Sequence, residues 1–311
     1  MGCWEKPENF LLGFDYKIVL PFLGSLPLAA GQVLSMSRGL VQAAFDYDWR
    51  SIAVGFPYIR QRTYAAMGMI RPEKGRLWKA VKTAQRFLHN SKEEWQACLF
   101  GRDAVMRRIA ADSTVEGIEE LRDLQRQGRG VVLVGCHLDS FCMGMVLMGM
   151  MGLRVHIINT AAIEDERIHP EVRAFFQKKY RAMERLLNGL MAYHETDMAH
   201  FYRALERGET VCLMGDVPGS KSDVFIPFLG ARLRMPVGAW HMAKRTGALV
   251  GGFVALHEGV GRYRVVMHMP QEIDPQGPEK TLIPIYRFLE RWLRKLPERW
   301  VSADLLPAYG A

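Results

Sequence analysis

In the stretch VVLVGCHLDSFCMG, residues 131–144, an apolar run ends on a histidine. Asp139 follows His137 two positions on, and Cys142 follows it five positions on. An imidazole can take a proton from a hydroxyl near neutral pH. A carboxylate beside it would orient the ring and balance the imidazolium charge. A thiol beside it is a candidate nucleophile, because a nearby histidine and a helix N-terminus both favour the thiolate. Cys136, His137, Asp139 and Cys142 match no zinc spacing and have no second ligand pair nearby, so no metal site is expected.

A second acidic candidate stands in LMGDVPGSKSD, residues 213–223, where Asp216 ends another apolar run. If both runs are strands of one open sheet, Asp216 comes to the same carboxyl edge as His137, the edge at which such sheets bind ligands. The run GDVPGSKS, residues 215–222, falls short of a phosphate loop. Ser220 stands where glycine must precede the lysine, and no helical pattern follows. The glycines at 259 and 261 belong to a turn rather than a dinucleotide fingerprint. Neither a nucleotide nor another cofactor is expected.

These side chains need a sheet to hold them. Continuous apolar runs predict buried strands at 131–134, 154–158, 210–214, 249–256 and 263–269, the last two forming a hairpin that turns at 257–261. Three- and four-residue apolar steps predict helices at 72–88, 92–111, 115–127, 140–151, 170–179, 198–206, 236–245 and 280–296. Ser91 is expected to cap the second of these, and Ser113 or Thr114 the third. Alternating strands and helices from about residue 129 imply an α/β fold, a three-layer mixed sheet flanked by helices. The chain therefore divides into a helical N-terminal part, 1–128, and an α/β core, 129–311. Five methionines between 143 and 151 suit either adaptable core packing or a soft wall for an acyl chain.

Composition narrows the partners. The chain has 311 residues, 49% hydrophobic and 24% charged, with a formal net charge of +8. Such an excess favours an acidic partner or an anionic bilayer. The basic residues are scattered through helices without a nucleic-acid motif, so nucleic acid is not expected. Five unpatterned cysteines argue against a disulfide framework. Residues 18–37, IVLPFLGSLPLAAGQVLSMS, are uncharged and long enough to cross a bilayer. They also contain two prolines and two glycines, which favours a segment lying in the membrane plane or a buried helix pair.

Three blocks together carry a family resemblance. They are Gly135-Cys136-His137, then FYRALERGETVCLMGDVPGSKSDVFIPFLG at 201–230, then 236–248 with its hairpin and FLERWLRKLPERWV at 288–301. In order and spacing the chain resembles the late lipid A acyltransferase family, the lauroyl and myristoyl transferases of the lysophospholipid acyltransferase superfamily, over roughly residues 15 to 307. The resemblance implies an α/β fold with a membrane-associated N-terminal helix. It implies transfer of a fatty acyl group from an acyl carrier protein or CoA thioester to a hydroxyl of a lipid or glycolipid. It also implies a place on the cytoplasmic face of a bacterial inner membrane. His137 matches the family's base. Asp216 matches the acid after the next strand. Phe225, Pro227, Phe228 and Gly230 match an aromatic-rich loop of the substrate wall, and Arg181 is the candidate for the family's basic residue.

Two departures stand out. The acid four residues beyond the motif histidine is replaced by Cys142, and the basic tail after the final tryptophan is replaced by Val301-Ser302-Ala303-Asp304. Three readings of the site follow. Asp139 takes over as the partner of His137, which is the favoured expectation, with a more distant acid such as Asp216 behind it. Alternatively, Cys142 and His137 form a transacylase or thioesterase pair. Otherwise the site is weak, and the chain binds lipid or carrier protein without transfer.

Overall fold

The computed structural model describes residues 7–54, 58–217 and 223–309. The second half of the near-miss phosphate loop, 218–222, lies outside the described residues. Nine strands are described. They are β1 (Thr114–Val115), β2 (Val131–Gly135), β3 (Val155–Asn159), β4 (Met191–Tyr193), β5 (Thr210–Met214), β6 (Asp223–Phe228), β7 (Ala231–Pro236), β8 (Leu249–Gly259) and β9 (Arg262–Gln271). Seven of them make one sheet in the order β1-β9-β8-β2-β5-β3-β4, with every pairing parallel except β8 with β9. β6 and β7 form a separate antiparallel hairpin.

The sheet is covered on both faces, which is why its central strand is a run of apolar residues instead of an alternation. All five residues of β2 are buried. Val131 and Leu133 pack into one core with the helices Phe141–Met150 and Pro170–Leu187. Val132 and Val134 pack into the other with Met198–Glu206, Gly238–Thr246 and Pro278–Lys295. The expected layered α/β architecture is therefore present, and all five expected strands are found. Met143, Met145 and Met148 are core residues, exposed by no more than 2%.

The helical half differs from expectation in several places, two of which matter most here. A single helix, Arg76–Leu99, runs through the expected break near Ser91. The Ser91 hydroxyl caps nothing and instead donates to the Ser35 carbonyl at 2.7 Å. A run such as Lys92-Glu93-Glu94 would ordinarily face water. Here all three are buried, each against an opposite charge on another element: Asp139, Lys179 and Arg38 respectively. Second, Thr114 opens no helix but joins the sheet through β1, parallel to β9.

Residues 18–37 are broken into short pieces. A π-helical turn, Asp15–Val19, leads into a six-residue helix, Leu20–Ser25. After Pro27 the helix Leu28–Phe45 begins. Among the described residues no helix is long and apolar enough to cross a membrane.

Candidate active site

β2 and β5 are parallel neighbours in a register that sets Gly135 beside Met214. His137 lies two residues beyond the first and Asp216 two beyond the second, so the register delivers both to one edge at the same step. A glycine ends β2, and another follows β5 directly, each where a side chain has no room. A Cβ at Gly135 would lie 2.7 Å from the Phe253 ring, and one at Gly215 would lie 2.7 Å from Val134 Cγ1. The two turns can therefore approach, and Gly215 N–H donates to Gly135 O at 2.9 Å.

His137 Nδ1 is 2.8 Å from Asp216 Oδ1. The His137 backbone N–H donates to Asp216 Oδ2, also at 2.8 Å. Asp216 is 1% exposed. Burial opposes its ionisation, but the His137 ring, the Trp300 indole and the His137 amide hold its carboxyl below the usual range. An ionised carboxylate only accepts, so Nδ1 is the donor in this contact. From Val131 to Ser140, His137 is the one residue not fully buried. Its ring meets Phe141 edge-on at 4.7 Å between centroids. One ring nitrogen is fixed by a carboxylate, an arrangement suited to a general base.

The expected pairing of His137 with Asp139 is not what the structure contains. Asp139 adopts a left-handed backbone, φ 54°, and is fully buried. Its Oδ1 accepts from Lys92 Nζ and, at 3.3 Å, from the Ser140 hydroxyl. Its Oδ2 accepts from the His257 amide at 2.9 Å and from Arg299 Nη1 at 2.8 Å. Burial works against this carboxylate, and the two cations more than offset it, holding its carboxyl well below the usual range. Both oxygens are occupied by groups other than the imidazole. Nor does Asp139 cap the following helix, whose N-cap is Ser140 without a side-chain cap bond.

Cys142 is also placed otherwise than a nucleophile requires. It is buried at 6% exposure, beside the Lys179–Glu93 pair, whose Nζ–Oε1 distance is 2.8 Å. Burial pushes its thiol up, and Lys179 only partly opposes that. The sulfur is therefore a protonated thiol at neutral pH. No hydrogen bond joins it to His137 among the described residues.

Residues 92–302, more than half of the chain, match the family model for bacterial lipid A biosynthesis acyltransferases. The chain belongs to this family. The lipid A biosynthesis lauroyltransferase of Escherichia coli (strain K12) is 28% identical to it over 202 residues. That match takes in 63% of this chain and spans 61% of the lauroyltransferase.

In this lipid A acyltransferase family member the other expected site residues divide. Phe225 and Pro227 stand on the outward face of the β6–β7 hairpin, while Phe228 turns inward, 2% exposed, edge-on to Tyr286. The Tyr286 hydroxyl lies 3.0 Å from Pro236 O and 3.3 Å from Gly215 O, which ties the hairpin to the turn carrying Asp216. Gly230 sits at φ 85° in the hairpin turn, a conformation that favours glycine. Arg181 is not brought to the site. It lines a cleft with Gln177 and Tyr193 beside β4, two strands beyond β5 at the sheet edge. Sequence reasoning missed Lys92, Arg299 and Trp300. Their contacts with Asp139 and Asp216 span 47 to 160 residues, and no local pattern announces them.

Proposed function

We propose that the protein is an acyltransferase that moves a fatty acyl chain from an acyl carrier protein or CoA thioester to a hydroxyl of a glycolipid, with His137 as general base and Asp216 as its partner. The observation that carries this reading is the contact of His137 Nδ1 with Asp216 Oδ1 at the carboxyl edge of β2 and β5. Family membership supports the reaction class and the glycolipid acceptor. Nε2 takes the acceptor hydroxyl proton as the oxygen attacks the thioester carbonyl. The tetrahedral intermediate then expels the thiolate, breaking the C–S bond, and the imidazolium returns its proton to that sulfur. Asp216 keeps the ring in the productive tautomer and stabilises the cation.

The test is incubation of purified protein with radiolabelled acyl carrier thioester and a lipid A precursor. Label should appear in the glycolipid. Release of free fatty acid alone, at a rate the acceptor does not change, would sink the transferase reading. Cys142→Ser should keep turnover within about threefold, because the thiol is buried and protonated. An acyl adduct on Cys142 in intact mass spectra would overturn the single-step mechanism.

We also propose that the protein sits on the cytoplasmic face of a bacterial inner membrane without crossing it. Phe10, Phe14, Ile18 and Phe22 recur at four-residue steps through consecutive helical turns, and each is about half exposed or more. Leu12, Tyr16, Leu20 and Leu23 are buried. An apolar stripe of this kind, on a chain of net charge +8, suits an anionic lipid surface. Binding to phosphatidylglycerol vesicles should fall by about tenfold or more when Phe10, Phe14 and Phe22 are all changed to Ser. Undiminished cosedimentation of that variant would place the membrane contact elsewhere.

A further inference from the structure

Asp216 is oriented from a part of the chain 84 residues further on. Trp300 is fully buried, and its indole N–H donates to Asp216 Oδ2 at 2.6 Å. The His137 amide donates to the same oxygen at 2.8 Å. Two donors converge on Oδ2, and Oδ1 is left facing His137 Nδ1. A carboxylate with one oxygen so held cannot rotate about its Cβ–Cγ bond without losing both donors.

Trp300 is itself held tightly. It forms an antiparallel bridge with Leu138. On either side, Asp139 N–H donates to Arg299 O and Val301 N–H donates to His137 O, both at 2.8 Å. The segment 299–301 is thus bonded along the loop 137–139 that carries the base. A phenyl ring would fill part of the same apolar space but has no donor. What tryptophan adds here is one donor, aimed at one carboxylate oxygen.

We propose that Trp300 is a positioning residue of the acyl-transfer site, its indole N–H holding Asp216 so that Oδ1 stays on the His137 ring. The role rests on the His137–Asp216 reading above but has a readout of its own.

The experiment uses the full chain with Trp300 replaced by 3-benzothienylalanine, an isostere in which sulfur stands where N–H was, and Trp300→Phe as a second variant. In the resting protein the His137 Nδ1 proton, identified by its absence in His137→Ala, should move upfield and broaden by exchange in both. Turnover number should fall by on the order of ten- to a hundredfold, the scale of a hydrogen bond to a charged group. KM should stay within about twofold, because the lost contact acts on the base and not on bound substrate. The thermal midpoint of the isostere should fall by no more than about 5 °C, since only one hydrogen bond is lost. An unchanged Nδ1 resonance together with unchanged turnover overturns the proposal, even if His137→Ala is inactive and the general-base reading stands. A shifted resonance alongside a fully active His137→Ala keeps the positioning contact and removes the general-base reading.

Discussion

Asp216→Asn should lower acyl transfer by roughly three to four orders of magnitude while leaving the protein folded. The local geometry gives the reason. Trp300 Nε1–H and the His137 amide both point at Oδ2. In the variant, the amide oxygen must turn to those two donors. Its NH2 group then faces Nδ1, which becomes the acceptor, and the ring proton is forced onto Nε2. The nitrogen that would accept the substrate proton is blocked. His137→Ala should be at least as severe. Steady-state rates with the carrier thioester, alongside a thermal melt, check both. Retention of more than a tenth of wild-type turnover in Asp216→Asn would mean that this carboxylate is not the partner of the base.

Asp139→Asn should act mainly on stability, by about 3–5 kcal/mol, because it leaves buried cationic charge unpaired. The Lys92 side chain is 2% exposed and has no route to water. Arg299, 27% exposed, can turn outward. Adding Lys92→Met to Asp139→Asn should recover part of the loss, since removing both charges costs less than stranding one. Chemical denaturation at neutral pH measures this, and a loss below about 1 kcal/mol would refute it. The pH dependence has a definite sign. The folded-state value of Asp139 is depressed, so its contribution is fully present above the unfolded value of about 4. That contribution is lost as pH falls further towards the folded value. Wild type should therefore lose stability more steeply than Asp139→Asn on acidification below about pH 4.

The strands legible in the sequence were those long and apolar enough to be buried on both faces, such as Val131–Gly135 and Thr210–Met214. Those missed had weak signals. β1 has two residues and β4 three, while β6 carries Pro227, which demotes a strand pattern. His137 at the end of β2 was visible because an apolar run stops on it. Its partner was ambiguous because spacing along the chain favours the nearest acid, and Asp139 is nearer than Asp216. What decides between them is which strand lies beside β2, and that order is a property of the assembled sheet. The interior charges of Arg76–Leu99 were illegible for a related reason. Their counter-ions come from residues as distant in sequence as 38, 48, 139, 179 and 304.

The bonds between 299–301 and 137–139 also set a timetable for the nascent chain. Each joins partners about 160 residues apart, and a ribosome adding roughly 5–20 residues per second takes many seconds to pass from one to the other. Throughout that interval the loop bearing His137 has emerged without the segment that closes against it. The sheet can begin to pair, but the contacts of Trp300 with Asp216 and of 299–301 with 137–139 close only after residue 301 has left the exit tunnel.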